Sequence, residues 1–463
     1  MSPEKNEIEE MTSRLTKWFE QKLPEAENIV IAEFERPGMG LSSVTYLLTL
    51  DREESGEKKS QGMVLRSAPQ EYKIFPDYEL SHQFRIMQIL ENTNVPVAKM
   101  LWMENDISFI GSPFYLMNRL VGEVPQDYPC YHGSGMFFEA TPEERAKMWW
   151  GTLEAIVNIH KLDWKKLGLS FLGAPAGGTD PIDRQLEYWD RYFEWVKDSP
   201  DESHPILEAS MKWLKENRYE PERVTLCWGD SRMGNTLFSV PDREVLAVMD
   251  WEMAFIGDPE CDLAWSILLD RQNSSGGGLP RCEGTPGYEE TVERYEALTG
   301  WKVKNLFYNE VFCAVRYGMI LVSSFRKFSQ QGIPIEEEMI QNNVCTQHLS
   351  DLLDLPSPGP KRQETSSLDA VTVSVQFHFT GPTGYDWYLI SDKGKGTRYN
   401  GTVDNPDCTI TVALEDWNAI QSGELDRLEA WASGRLVIEG DMNLMVQLED
   451  MIVKLFDTQA GVK

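Results

Sequence analysis

Residues 227–265 read CWGDSRMGNTLFSVPDREVLAVMDWEMAFIGDPECDLAW, and this stretch decides how the rest of the chain is read. Asp230 is followed five positions on by Asn235, and a second acid, Asp250, closes the apolar run VLAVMD. An acid, an amide five residues later and an acid at a strand end form the set that phosphoryl transfer from a nucleotide requires. One carboxylate accepts the proton of the attacking hydroxyl. The other two oxygen donors hold Mg²⁺ against phosphates that would otherwise repel their partner. D-x-x-x-x-N alone arises often by chance, but here G-D-P-x-x-D-L-A-W follows Asp250, and the ordered combination is specific.

These residues resemble the catalytic core of the aminoglycoside phosphotransferase family, the choline-kinase-like branch of the protein-kinase fold. That pattern runs H-G-D-x-x-x-x-N, an apolar run ending in I-D-W/F, then G-D-x-x-x-D-L-A. This chain has Trp228-Gly229-Asp230, Asn235, Asp250-Trp251, Gly257-Asp258 and Asp262-Leu263-Ala264 in those places. The resemblance implies an ATP-dependent kinase with Mg²⁺, in which Asp230 is the catalytic base and Asn235 and Asp250 are the metal ligands. It departs from the pattern at Trp228, where the family has histidine. An indole packs a loop but cannot accept the hydrogen bonds of an imidazole, so the loop geometry is the open point.

Upstream, apolar residues recur with helical spacing from Ile8 to Leu23, and NIVIAEF, YLLTL and MVLR read as short strands of a meander. Between the first two strands, Gly38, Gly40, Ser42 and Ser43 form a small-residue loop whose backbone amides could approach phosphate oxygens. The resemblance places Arg66 where the fold carries its phosphate-binding lysine, keeping the charge but presenting a planar fork. It places Gln83 on the following helix, about Asp77 to Leu90, where an acid usually pairs with that cation, with Glu79 one turn earlier as an alternative. It puts the adenine-contacting hinge at Met117 and Asn118, in PFYLMNRL. Long amphipathic helices are expected over Glu143–His160, Asp183–Lys197 and His204–Asn217, and a buried one over Asn305–Gln330. His160 reads as a cation favoured by a helix C-terminus.

Composition narrows the class. A chain of 463 residues, 41% of them apolar and fifteen of them Trp, is globular and too long for one core. Its net charge of −30 argues against nucleic acid and anionic membranes, which select Lys and Arg patches. Seven cysteines without C-x-x-C pairs exclude a disulfide framework or zinc site and fit a reducing cytoplasm, and Cys227 reads as core more readily than as a nucleophile. No apolar run approaches the length of a membrane span, the N-terminus lacks a signal-peptide pattern, and the C-terminus is not a peroxisomal S-K-L address.

The Pro, Ser and Gly content of residues 356–368 marks a linker. Beyond it Val371, Val373, Val375, Phe377 and Phe379 alternate with polar residues, DWYLI and TITVAL repeat the pattern, residues 416–433 turn helical, LVIEG is a strand, and Met442–Phe456 closes as a helix. The phrases P-D-C-T-I-T-V, D-W-x-A-I-x-S-G-E-L and A-S-G-R-L-V-I-E-G-D-M resemble the sterol carrier protein-2 family. That resemblance implies an apolar tunnel for a lipid or sterol, for which Phe377, Phe379, Trp387, Leu389, Trp417, Trp431, Met442, Met445 and Leu448 are candidate walls, each read more readily as plain core.

The expected fold is therefore α+β: a bilobal protein-kinase-like unit (residues 1–120 and 121–355), a linker (356–368) and a small sterol-carrier-type α/β domain with helices on one face of a sheet (369–463). The expected activity is transfer of the ATP γ-phosphoryl group to an apolar hydroxylated acceptor such as a hydroxyacyl thioester, hydroxy fatty acid or steroid. The alternatives are a lipid-binding protein with a silent kinase scaffold, for which Trp228, Arg66 and Gln83 speak, and an antibiotic phosphotransferase.

Overall fold

The computed structural model describes residues 3–36, 43–69, 73–76, 78–127, 130–173, 180–199, 201–330, 335, 337–359, 372–381, 384–392, 395–422, 425, 430 and 433–440. The chain opens with helix α1 (Pro3–Lys22), then β1 (Ala26–Glu35), β2 (Val44–Glu54), β3 (Glu57–Ser67), α2 (Leu80–Leu90), β4 (Met100–Glu104) and β5 (Phe114–Asn118). The strands form one antiparallel sheet in the order β1-β2-β3-β5-β4. The β2–β3 hairpin closes at Glu54↔Glu57 around Ser55 and Gly56, both at positive φ, which is the turn that suits the strands' twist. Met11, Leu15, Trp18 and Phe19 of α1 bury their stripe with Leu48, Leu50, Met63, Leu65 and Leu116 of the sheet.

A largely helical unit follows: α3 (Gly135–Glu139), α4 (Pro142–His160), α5 (Pro181–Val196), α6 (Pro205–Glu216), β6 (Thr225–Cys227), β7 (Thr236–Phe238), β8 (Val245–Val248), β9 (Phe255–Gly257), α7 (Glu260–Gln272), α8 (Tyr288–Thr299), α9 (Leu306–Gln330), α10 (Glu337–Gln341) and α11 (Val344–Leu353). Helix α4 starts at a capping box, in which the Thr141 hydroxyl accepts from the Glu144 amide, with Pro142 in the first turn. The expected helices appear within a few residues of their sequence limits. The short ladders β6–β9 and β7–β8 are both antiparallel and frame the two loops that carry Asp230 and Asp250. One apolar cluster joins α2 and β5 to α4, β6 and α7, so the sheet unit and the helical unit share a core beside those loops.

The third unit has β10 (Thr372–Thr380), β11 (Asp386–Asp392), β12 (Lys395–Asn400), β13 (Cys408–Ala413), α12 (Leu414–Ser422) and β14 (Leu436–Gly440), in sheet order β12-β11-β10-β13-β14. Only the β10–β13 pair is parallel, and α12 occupies the connection from β13 to β14. Along β10 Val375, Phe377 and Phe379 are buried as predicted, but Gln376, expected on the polar face, is buried too and donates to the Trp387 and Gly401 carbonyls. The helix expected over 416–433 is described only as α12, and the expected closing helix, with Met442, Met445 and Leu448, lies outside the described residues, as do Trp431 and most of the linker. Phe377 stacks on Trp387 with ring centroids 4.1 Å apart, and Trp417 meets Phe377 and Phe379 edge-on at 5.9 and 5.7 Å. These rings, with Leu389, pack against one another as core. Phe377→Ala should therefore cost about 3–5 kcal/mol, seen as a lower urea midpoint for the transition of this unit in the full chain.

Candidate active site

The loop between β6 and β7 is fastened from behind. Both oxygens of the buried Asp262 accept backbone amides: Trp228 N–H to Oδ2 at 2.6 Å and Gly229 N–H to Oδ1 at 2.8 Å. His160, at the end of α4, bridges the same carboxylate (3.1 Å) and the Tyr295 hydroxyl (2.8 Å) and is fully buried. His160 stands at the end of α4 as expected, and its ring also belongs to the loop anchor, through a partner 102 positions away. Trp228 fills the place of the missing histidine by packing, as anticipated, and also by donating its indole N–H to the Met249 carbonyl at 2.7 Å, tying the Asp230 loop to the residue before Asp250. Gly229 sits at φ +88, and a Cβ there would fall 2.0 Å from the Met253 carbonyl oxygen, so no other residue fits this crossing.

This frame presents Asp230, almost wholly buried, at the mouth of the loop. Trp265 Nε1–H donates to Oδ1 at 2.7 Å and Asn235 Nδ2–H donates to Oδ2 at 2.7 Å and to the Asp230 carbonyl at 3.0 Å. Arg232 Nε–H is shared between both oxygens at 3.0 and 3.1 Å. Burial, and then the nearby charge of Asp250, push the Asp230 carboxyl up to about 7, against the pull of the Trp265 and Asn235 hydrogen bonds. The Arg316 guanidinium also favours the charged form. Behind the loop the buried Arg316 of α9 donates to the Gly229 carbonyl at 3.1 Å, with its guanidinium 4.7 Å from the Trp265 ring centre.

Asp250 follows β8 with φ +59, a left-handed conformation that a non-glycine residue holds only when its surroundings impose it. Its Oδ1 lies 3.5 Å from Arg66 Nη2, and the same guanidinium nitrogen donates to Ser43 Oγ at 2.7 Å. Arg66 on β3 thus reaches from the sheet unit to Asp250. Gln83 is buried on α2 and accepts from the Tyr115 hydroxyl at 3.3 Å, so the neutral bond expected between Gln83 and Arg66 is replaced by the Arg66–Asp250 ion pair. Gly38, Gly40 and Ser42 lie outside the described residues; Ser43 is buried at the start of the neighbouring strand.

At the expected hinge, strand pairing engages the backbone. The amide of Asn118 is engaged by the Lys99 carbonyl (2.9 Å), the amide of Arg119 by the Gly62 carbonyl (3.0 Å), and Met117 pairs with both β3 and β4. Backbone donors without such partners among the described residues begin at Leu120 and Val121, both exposed. Met117 and Asn118 border that segment, and their own ladder positions are taken.

The donor set fits Mg²⁺. Asp250 Oδ1 is buried without a hydrogen-bond donor, and Asn235, whose nitrogen is engaged by Asp230, keeps its oxygen for a cation. Mg²⁺ takes hard oxygen ligands and is usually held by one or two protein groups plus phosphates. In keeping with that, no group of three or more His, Cys, Asp or Glu gathers into a closed metal site among the described residues. Cys227 is core: its thiol faces the Asp258 carbonyl at 3.3 Å, and burial pushes its ionisation far up. The cysteines are thiols, with no disulfide among the described residues.

Residues 33–294 match the Phosphotransferase enzyme family, and residues 351–453 match the SCP-2 sterol transfer family. The chain belongs to the phosphotransferase family. A solved Ralstonia eutropha structure assigned as an aminoglycoside phosphotransferase covers 75% of this chain and 99% of its own, with TM-score 0.55 and 23% identity, and so shares the protein-kinase-like fold. Among curated relatives, acyl-CoA dehydrogenase family member 10 of Mus musculus is 34% identical over 230 residues, covering 50% of this chain and 20% of the relative. Mus musculus acyl-CoA dehydrogenase family member 11 is 29% identical over 275 residues, covering 56% and 33%. This chain therefore spans a fifth to a third of the length of those relatives. A kinase-like phosphotransferase domain is followed by a sterol-carrier-type lipid-binding domain.

Sequence reasoning assigned no role to Arg232, Asp262, Trp265 or Arg316. Asp262 and Trp265 stood in the quoted motif, and Arg316 had one signal, a lone cation inside the apolar run of α9. Gly229→Ala should displace the loop and cost at least about 1–3 kcal/mol in backbone strain; an unchanged urea midpoint for the kinase-like unit would contradict the crossing described here.

Proposed function

We propose that this chain transfers the γ-phosphoryl group of ATP to a hydroxyl of an apolar acceptor, a hydroxyacyl thioester, hydroxy fatty acid or steroid. The observation that carries this reading is the convergence of Asp230, Asn235, Asp250 and Arg66 on one cleft, with Asp230 poised near neutrality. Asp230 orients the acceptor hydroxyl and takes its proton as the oxygen–phosphorus bond forms; ADP leaves with the electron pair of the broken bond. Asn235 and Asp250 would hold Mg²⁺, which supplies neutralisation of the charge on the phosphates when bound. Arg66 and Ser43 hold phosphate oxygens, and the Leu120–Val121 backbone meets the adenine edge. The apolar acceptor is inferred by association: the chain carries a sterol-carrier-type domain, and its longer relatives are named as acyl-CoA dehydrogenase family members. The silent-scaffold alternative is disfavoured because Asp230, Asn235 and Asp250 are all present.

Two measurements test this. Nucleotide should raise the melting temperature of the full chain only with Mg²⁺, and Asp250→Ala should abolish the shift; a mutant that keeps it rules the metal site out. Asp230→Asn should lower turnover about 10²–10⁴-fold with ATP affinity little changed. Because the base acts deprotonated and its carboxyl is raised to about 7, kcat/KM for Mg·ATP in the wild type should fall as pH drops below about 7. An acid limb that persists unchanged in Asp230→Asn would remove Asp230 from the role.

A further inference from the structure

The chain carries 74 acidic residues against 44 Lys and Arg, so a pocket lined by cations runs against its composition. Such a pocket, of about 190 Å³, opens where the segment after β3 meets α5 and α9. Lys73, Lys197, Arg326 and Lys327 line it, with Trp195 as an apolar wall and Asp198 as the acid among its lining residues. Two hydrogen bonds fasten its backbone. The Ile74 carbonyl, next to Lys73, accepts from the Tyr192 hydroxyl of α5 at 2.7 Å and from Ser323 Oγ of α9 at 3.1 Å.

The acids nearby do not use up this charge. Glu194 meets Lys197 at 2.8 Å and Asp198 meets Arg326 at 3.2 Å, but these carboxylates are 67% and 79% exposed, where pairing is weak and screened. Glu202 pairs with Arg326 and is shared with His204. Arg326 Nε–H is still buried without an acceptor. Lys327 is held below the usual lysine range, by burial first and then by the charge of Arg36 just beyond β1. Cations crowded into a concave site repel one another and draw an anion.

The pocket shares its helix with the active site. Arg316 lies beneath the Asp230 loop, and Ser323 and Lys327 follow it by seven and eleven positions on α9. At 1.5 Å of rise per residue they stand about 10 and 16 Å further along. That is too far for the phosphates held beside Arg66 and Asp250, and within reach of the remote end of an extended acceptor.

We infer that this pocket binds the anionic end of the acceptor, a phosphate or a carboxylate remote from the hydroxyl that reacts. The inference rests on the phosphotransferase reading above and narrows its acceptor. A hydroxyacyl thioester on a phosphate-bearing carrier or a hydroxy fatty acid satisfies the pocket, and an uncharged steroid does not.

Lysine acetylation mapped by mass spectrometry reads the pocket directly in the full chain, with Mg·AMP-PNP present to fill the nucleotide site. Coenzyme A, ω-hydroxylaurate and the uncharged methyl ester of ω-hydroxylaurate are compared at one ionic strength. Acetylation of Lys73 and Lys327 should slow several-fold with coenzyme A if the anion is a phosphate, or with ω-hydroxylaurate if it is a carboxylate. Lys166, 85% exposed, should keep its rate. In Lys197→Gln, which removes a lining cation and keeps both reporter lysines, the same protection should need about tenfold more probe, the size of one charged hydrogen bond. No protection by either anion, equal protection by the methyl ester, or protection undiminished in Lys197→Gln overturns the site. The melting shift given by Mg·ATP separates this from the parent reading. It should be the same in Lys197→Gln as in the wild type, and its loss in the variant alone would hand these cations to the nucleotide and overturn the acceptor role. Its absence in the wild type removes the phosphotransferase reading, whatever the acetylation shows.

Discussion

The site depends on one buried carboxylate that does no chemistry. Asp262 takes the amides of Trp228 and Gly229 and the His160 ring, and through them fixes where the β6 strand ends and the Asp230 loop begins. Hydrogen bonds to a charged group contribute about 1.5–3 kcal/mol each, and leaving such a group without partners costs more. The anchor therefore works in both directions: the loop has one position in which Asp262 is satisfied, and Asp262 tolerates burial only with the loop in that position. Gly229 with its positive φ, the carbonyl held by Arg316 and the indole of Trp265 on Asp230 all follow from that placement.

Around this anchor the charges are arranged in alternation. Arg66 neighbours Asp250, Arg232 neighbours both Asp230 and Asp127, and Arg316 lies beneath the loop. In a chain of net charge −30 these three arginines converge on a small volume. Buried acids are tolerated there because each has a cation or several N–H donors at hand. Asp250 Oδ1 has the Arg66 cation at 3.5 Å but no hydrogen-bond donor.

The parts of the fold set by periodicity were legible in the sequence. The strand alternation of β10, the stripes of α4 and α9 and the turn residues of the β2–β3 hairpin each follow from local rules. The candidate set of Asp230, Asn235 and Asp250 could be assembled from the sequence because the three lie within 21 positions of one another. What escaped notice joins distant segments: His160 with Asp262, Arg316 with Gly229, Arg232 with Asp127. Gln83 illustrates the same limit, since its helix was located correctly while its partner, Tyr115, is set by the packing of α2 on β5. At Asn118 and Arg119, strand pairing and its flanking bonds, invisible in a single chain, decide which amides are engaged.

The exchange of histidine for Trp228 has a consequence beyond packing. An imidazole changes charge near neutral pH, so a histidine in this place would alter its donor count across the range in which Asp230 itself titrates. The indole N–H has no such transition, and its bond to the Met249 carbonyl is the same in acid and in base. The tether between the two acidic loops is in that sense insulated from the protonation of the carboxylates it joins.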